Sequence, residues 1–422
     1  MGTEINLDVG GLTIDWAKNN PGVDHRSLFQ ESDRARVKTS ADDDPDGKEY
    51  DALVRPLSRM LSRLNLLGNT IETARAEYNS LLAEYCDVTA EVDIDNSNTM
   101  SFDEFCAFVG RYSIEDLDET YRDVYKSTVD VRGRFGDAEA EINRLPIIGD
   151  GLCWSEKSYF ASKVCFLSSY SMLQVFGQSK KNRNAKVVWD YGRLVDAGWA
   201  SDEDFKTGAI RSKTILVATE GTTDSRIIKR AFSALRPDVA DFFRFVDVDE
   251  RHPFWGTGNL VKFAEGLVRI DIQNKVLFIL DNDAEGVDAM KRLKDLNMPT
   301  NMRAMLLPDD DTLRKFPAIG PEGTRDSDIN GRAAAIECYL DLRLPSRSPA
   351  VVRWSNYKKD VDAWQGALEF KETYMRHFLD QTTETLRGGD YDTSRLERVL
   401  DAVIAEVTWL QQLRVEQALS NR

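Results

Sequence analysis

The sequence is poor in the residues that build zinc, haem and disulfide sites. Its 422 residues include only five cysteines and three histidines. Cys86, Cys106, Cys153, Cys165 and Cys338 are widely spaced and never form Cys-x-x-Cys, so reduced thiols packed in cores are expected, with neither zinc nor disulfides. His25, His252 and His377 lie far apart, and no local spacing reads as a His-rich metal site. Long apolar runs are missing as well, which excludes a helical membrane span. The opening Met1-Gly-Thr-Glu-Ile-Asn-Leu-Asp lacks the basic and apolar regions of a signal peptide. Asn6 stands where a myristoylation motif has Ser or Thr, so a cytoplasmic protein is expected. Positive charge is in deficit: 55 Lys and Arg against 71 Asp and Glu give a net charge of −16. That argues against a general phosphate-neutralising surface and predicts weak, salt-sensitive or partner-dependent nucleic-acid binding. No Gly-x4-Gly-Lys-Ser/Thr loop occurs, so any ATP-driven step would need a partner chain such as an ATPase.

What is present is a pair of apolar runs that end in acids. At 42% hydrophobic, a chain of this length supports two or three domains. Ile215-Leu-Val-Ala218 and Val276-Leu-Phe-Ile-Leu280 read as strands covered on both faces by helices. The first is followed by Glu220-Gly221 and Asp224, the second by Asp281-Asn-Asp283 and Glu285-Gly286. In a parallel sheet these acids stand at the carboxyl ends of strands, where such sheets bind ligands, and both glycines would permit a sharp turn or close backbone approach. Asp281 and Asp283 are two apart and point to one side of extended chain, with Asn282 opposite. Oxygen-only donors favour a hard ion, Mg²⁺ or Mn²⁺, which suits phosphoryl transfer. The competing reading is that these acids merely cap the helices that follow.

At these residues the sequence resembles the Toprim domain of topoisomerases, primases and the OLD-type nucleases, over roughly 213–345. The resemblance implies a parallel α/β domain with Glu220, Asp281 and Asp283 holding metal and acting in catalysis. Asp224 and Glu337 would complete a second site, and Glu285-Gly286 extends the match. Lys371 matches a late lysine that approaches the scissile phosphate in nuclease relatives; a surface lysine is its alternative. A second resemblance, to bacterial HEPN/Toprim-associated proteins, rests on Gly10-Gly11, Asp15-Trp-Ala-Lys-Asn19 and His25-Arg-Ser-Leu-Phe29. Together they imply a metal-dependent nuclease that cuts or nicks DNA, with RNA left open, in a protein tied to anti-phage defence. The alternative is a non-catalytic sensor or adaptor for a nucleotide, nucleic acid or protein. No winged helix, gate or zinc ribbon supports a topoisomerase, and the companion motifs of a primase are missing. The ribonuclease motif of HEPN domains, Arg followed after four to six residues by His, does not occur: seven residues separate Arg244 from His252.

The expected fold is therefore a mixture of α+β and α/β domains: a mostly helical N-terminal domain over 1–205, a Toprim-like domain over 206–345, and a C-terminal helical segment over 346–422. Residues 5–16 read as two strands about Gly10-Gly11, and 49–88 as a helical hairpin broken at Gly68. Helical periodicity is read through 113–145 and 156–175. Two calcium-loop look-alikes occur. Asp42, Asp44 and Asp46 sit in one that has Leu53 at its twelfth position. The other, 93–104, is better read as a polar loop whose Ser101 caps the next helix with Glu104. Lys180, Lys181, Arg183 and Lys186 form the densest basic patch, able to track a nucleic-acid backbone with Trp189 and Tyr191 stacking on a base, or else a solvated connector. Within the Toprim-like region a helix is expected over 333–340 and a loop over 308–332. A last helix from Leu396, with Leu400, Val403, Val407, Leu410 and Leu413 on one side, should dock on the protein or on a second copy.

Overall fold

The computed structural model describes residues 2–38, 48–91, 96–123, 130–147, 151–246, 256–344 and 348–420, with side chains through residue 412. Residues 42–47 of the first calcium-like loop, residues 93–95 of the second and His252 lie outside the described residues. The chain divides into two units, Met1–Ile210 with Gln411–Arg422, and Arg211–Leu410. No helix among the described residues is long and apolar enough to cross a membrane.

The first unit opens with the expected hairpin, β1 (Glu4–Val9) and β2 (Leu12–Lys18), turned by Gly10 and Gly11, both at positive φ that L side chains rarely adopt. β3 (Arg34–Lys38) and β4 (Glu49–Pro56) follow, then helices α1 (Leu57–Leu66), α2 (Ile71–Glu91), α3 (Phe102–Gly110), α4 (Glu139–Ile142), α5 (Glu156–Val164) and α6 (Ser169–Gln178). β5 (Lys186–Trp189) inserts between β1 and β4, giving the sheet order β2-β1-β5-β4-β3, and a short helix, α7 (Gly192–Asp196), follows it. Helices dominate this domain, as expected, and the five-stranded sheet goes beyond the single hairpin that was expected. Tyr78 of α2 packs in an aromatic cluster with Phe102, Phe105 and Phe166 and donates its hydroxyl to the Met100 carbonyl at 2.7 Å. Ser101 caps α3 as expected: its Oγ accepts from the Glu104 amide, and the Glu104 carboxylate accepts from the Ser101 amide.

The helical periodicity of 113–145 is mostly not realised. Only α4 and short 3₁₀ turns form among the described residues there. Asp118 and Asp130 each accept a hydrogen bond from the amide two residues on, at Thr120 and Arg132, and such local bonds compete with helix.

A buried acid pair in this sheet gives a pH-dependent stability. Asp190 accepts from the Asn6 amide and faces Arg193 at 3.4 Å, while Asp8 buries an oxygen without a hydrogen-bond partner. Burial, with the Asp8 charge beside it, pushes Asp190 up to about 7. A carboxyl whose folded pKa is raised binds its proton more tightly than in the unfolded chain, so stability is lost as pH climbs from the ordinary carboxylate range towards 7. Asp190→Asn keeps the acceptor for Asn6 and should raise the melting temperature at pH 8 while changing it little at pH 4. At about 1.4 kcal/mol per unit the gain is bounded at a few kcal/mol. Melting curves at both pH values check it, and equal shifts at the two would refute the assignment.

The second unit is built on a parallel sheet of order β10-β8-β6-β7: β6 (Ile215–Thr219), β7 (Phe243–Phe245), β8 (Lys275–Leu280) and β10 (Met302–Leu306). Helices α8 (Thr222–Leu235), α9 (Thr257–Arg269) and α10 (Ala284–Lys294) alternate with these strands. All six residues of β8 are buried, and Phe278 and Leu280 pack with Leu260, Ala264 and Leu293 from α9 and α10. This two-sided cover is why the strand reads as an unbroken apolar run. A two-residue strand, β9 (Asn282–Asp283), pairs with β13 (Ala333–Ala334).

Two expectations for this unit are corrected. The segment 308–332 holds a hairpin, β11 (Phe316–Gly320) and β12 (Gly323–Ser327). The start of the supposed helical C-terminal segment is a second hairpin, β14 (Val352–Lys358) and β15 (Ala363–Leu368), and the four strands form one sheet in the order β12-β11-β14-β15. Helices α11 (Lys371–Leu379), α12 (Thr383–Gly388) and α13 (Ser394–Ser420) come only after it. Leu400, Val403, Val407 and Leu410 of α13 are buried; the Leu413 side chain lies outside the described ones.

Candidate active site

From β6 the chain passes through α8 to β7 on one side, then through α9 to β8 on the other. The order therefore reverses between β6 and β8, and the crevice outside the carboxyl ends of such a pair is where open α/β sheets place ligands. Glu220 follows β6 and Asp281 follows β8. The two meet directly, Glu220 Oε1 accepting from the Asp281 amide at 3.0 Å. Asp281 Oδ1 accepts from the Ile336 amide at 3.0 Å. Asp224 Oδ2 accepts from the Gly221 amide at 2.9 Å. Each of these three carboxylates is held through one oxygen while the other makes no hydrogen bond to the described residues.

Asp283 is held through both oxygens. Oδ1 accepts from the Gly286 amide at 2.8 Å, capping α10, and Oδ2 accepts from Gln365 Nε2 at 2.7 Å. Asn282 points the other way, donating to Asp309 Oδ1 and accepting from the Gly331 amide. Capping therefore accounts for Asp283 and for Asp224, which reaches back to the start of α8. It does not account for Glu220, Asp281 or Glu337. Gly286 is obligatory: a Cβ there would lie 2.0 Å from the Asp281 carbonyl oxygen. Gly221 is not, because its backbone is extended and a Cβ would make only ordinary contact.

Glu337 arrives by an unexpected route. Residues 333–340 are not a helix: Ala333 and Ala334 pair with β9, and Ile336–Tyr339 make one 3₁₀ turn. Pairing to β9 and the gift of the Ile336 amide to Asp281 outweigh the helix propensity of three alanines. Glu337 is only 3% exposed. It acts on Asp224 and Asp281 through its charge.

Burial and mutual repulsion raise the proton affinity of Glu220, Asp224, Asp281 and Asp283. Glu220 is pushed up to about 8, chiefly by burial and then by the Asp283 and Asp224 charges. Asp224 rises to about 7 through burial and Glu337, partly offset by Lys371. Asp281 lies well above the usual carboxylate range, through burial and the charges of Asp224 and Glu220, and Asp283 is raised mainly by burial. Gathered carboxylates of this kind call for a cation. Yet among the described residues no three acidic, His or Cys side chains are arranged to hold one metal ion. The oxygen-only donor chemistry of these buried acids fits a hard divalent ion.

The remaining candidates are placed as follows. Lys371 is the first residue of α11, exposed, and close enough to steady the Asp224 charge. Glu285 is exposed and ion-paired with Lys358 at 2.8 Å. The basic patch is in the other unit: Lys181 Nζ donates to the Arg111 carbonyl and Arg183 Nε to the Gly177 carbonyl, while Lys180 and Lys186 are exposed. Its expected stacking partners are ruled out, since Trp189 and Tyr191 are each only 2% exposed and packed on Phe205. His25 is buried in the same unit, with Nε2 3.0 Å from Asp15 Oδ2 and Nδ1 3.0 Å from the Tyr170 hydroxyl. Sequence reasoning missed Gln365, whose Oε1 also accepts from the Glu285 amide at 3.1 Å. Read as a strand of period two, 363–368 would have set Gln365 on the face opposite Trp364.

Residues 1–213 match the family model described as HEPN/Toprim N-terminal domain 1, and the chain belongs to that family. It is thus a HEPN/Toprim-associated protein, which points to a nuclease-associated role. No curated protein and no solved structure matches it.

Proposed function

We propose that the chain is a divalent-metal-dependent phosphodiesterase of the Toprim class, cutting or nicking nucleic acid, with DNA favoured over RNA. The observation that carries it is the meeting of five electrostatically coupled carboxylates, Glu220, Asp224, Asp281, Asp283 and the buried Glu337, at the switch point of a parallel sheet. Bound there, Mg²⁺ or Mn²⁺ would supply Lewis-acid polarisation of a phosphoryl oxygen and a water of lowered pKa. Glu220 and Asp281 would hold it through the oxygens their backbone bonds leave open, with the Asp224 charge beside them. Gln365 and the Gly286 amide fix Asp283, and the Lys371 ammonium is set to offset charge on a phosphate.

A role in bacterial defence against phage is part of this reading on resemblance alone, an ATPase partner on the missing Gly-x4-Gly-Lys-Ser/Thr loop, and self-association on the apolar stripe of the last helix. A second reading, a sensor or adaptor that binds nucleic acid or a protein without cutting, draws on the absence of a finished three-ligand cage among the described residues. Incubating the protein with plasmid, single-stranded DNA and RNA in Mg²⁺, Mn²⁺, Ca²⁺ or EDTA separates the two. Cutting that needs Mg²⁺ or Mn²⁺ is expected; binding without cutting in every lane would favour the adaptor. Lys371→Ala should lower the cleavage rate at least tenfold with an unchanged melting temperature, and an unaltered rate would make Lys371 a surface residue.

A further inference from the structure

The β11-β12-β14-β15 sheet carries a cleft that the acidic site does not use. It has a volume of about 270 Å³ and is lined by Gly320, Gly323, Arg325, Ser327, Trp354 and Trp364, among others. That is near the lower end of the range for small-molecule pockets. Two glycines give it room. A Cβ on Gly366, the residue opposite Trp354 on the neighbouring strand, would stand 2.7 Å from the Trp354 ring, and one on Gly320 would stand 3.3 Å from it. The indole therefore lies across both glycines as a flat wall. Trp364 is 44% exposed and is set edge-on to Tyr357, with ring centroids 5.7 Å apart. A large aromatic left this open contributes little to the core, and two indoles in one cleft offer π-faces to a planar ligand. Arg325, paired with Glu322 at 3.0 Å, brings a guanidinium to the cleft, and β12 is an edge strand with free backbone donors and acceptors.

Position ties the cleft to the acids. The residue after Trp364 is Gln365, which holds Asp283 at 2.7 Å, and the Gly366 amide donates to the carbonyl of Arg332, a residue bridged to Asp283. Trp364 and Gln365 face opposite sides of β15, so a strand whose phosphate lay at Asp283 would cross the edge of β15 to bring a neighbouring base to the indoles. Duplex DNA keeps its bases stacked inside, so only an unpaired or extruded base can enter. We infer that the Trp354–Trp364 cleft binds one unpaired nucleobase, making single-stranded nucleic acid the ligand of this unit. The inference rests on the phosphodiesterase reading for its substrate, but not for its test.

The test is equilibrium binding of fluorescein-labelled oligo-dT and oligo-U, and of a duplex, to the full chain in EDTA, where no metal-dependent cleavage runs. Dissociation constants are compared for wild type, Trp364→Ala, Trp364→Phe and Asp281→Asn. Trp364→Ala should weaken single-strand binding roughly 5- to 150-fold, the size of one lost base stack. Trp364→Phe should recover most of it, and duplex binding should move less. Titration with a mononucleotide, read by tryptophan fluorescence, tells a free nucleotide from a strand: quenching that Trp364→Ala removes supports the base site for either source. Unchanged single-strand affinity in Trp364→Ala, or an equal loss for duplex, would overturn the inference, as would no binding of any probe by wild type. Cleavage in Mg²⁺ is scored separately. Loss in Asp281→Asn with normal Trp364→Ala binding refutes the cleft alone, whereas base binding without wild-type cleavage refutes only the phosphodiesterase.

Discussion

Asp281→Asn and Glu220→Gln should each abolish metal-dependent cleavage while leaving the fold as stable as before, or more so. Both substitutions keep the shape and the hydrogen bonds: an amide oxygen at 281 still accepts from Ile336, and one at 220 still accepts from the Asp281 amide. What is lost is a negative charge and a ligand. A metal ion that polarises phosphate contributes several kcal/mol to the transition state, so loss of its grip corresponds to about a thousandfold or more in rate. The same deletion relieves repulsion among buried acids whose pKa values are all raised. At pH 8 that relief is roughly 1 to 2 kcal/mol, or about 2–8 °C for a unit of this size. Lost cleavage with a steady or raised melting temperature supports the assignment. Cleavage at the wild-type rate would remove these acids from the chemistry, and a fall of many degrees would make them structural.

Millimolar Mg²⁺ or Mn²⁺ should stabilise the wild-type protein and not these two variants. A ligand that binds only the folded state adds about 2.7 kcal/mol at a hundred times its dissociation constant. Here the gain comes on top of an electrostatic penalty that the apo site carries, because desolvated carboxylates face one another with Lys371 as the cation steadying Asp224. A rise of several degrees is expected by differential scanning fluorimetry, reversed by EDTA and absent in Asp281→Asn and Glu220→Gln. An equal rise in all three would place the ion elsewhere, and no rise in any would leave the acidic site without its proposed occupant.

The parts of this molecule that were legible in the sequence are those whose signal is local. Val276-Leu-Phe-Ile-Leu280 reads as a strand because burial on both faces needs an unbroken apolar run, and β8 forms there. The Gly10-Gly11 turn and the Ser101–Glu104 cap depend on neighbours at most a few residues away, and both form where the sequence puts them. The acids at 220, 281 and 283 could be assigned to strand ends by the same logic.

Other features were decided only by contacts between distant segments. The alanines at 333–335 have good helix propensity, yet two of them pair with β9 because that strand claims their backbone and the Asp281 carboxylate takes the Ile336 amide just after them. Residues 316–327 and 352–368 form a sheet whose strands are largely exposed, so no apolar run marks them one by one. Trp189 and Tyr191, exposed in a sequence reading because lysines precede them, are core residues because β5 slots between β1 and β4. The sequence by itself determined the strand cores, the turns and the kind of chemistry the acids can do, since each follows from residue type and short spacing. Only the tertiary structure decided that Gln365 holds Asp283, that Glu337 is buried against Asp224 and Asp281, and that two glycines open a cleft beneath Trp354. Those depend on which strands pair across dozens of residues, and no local pattern carries that information.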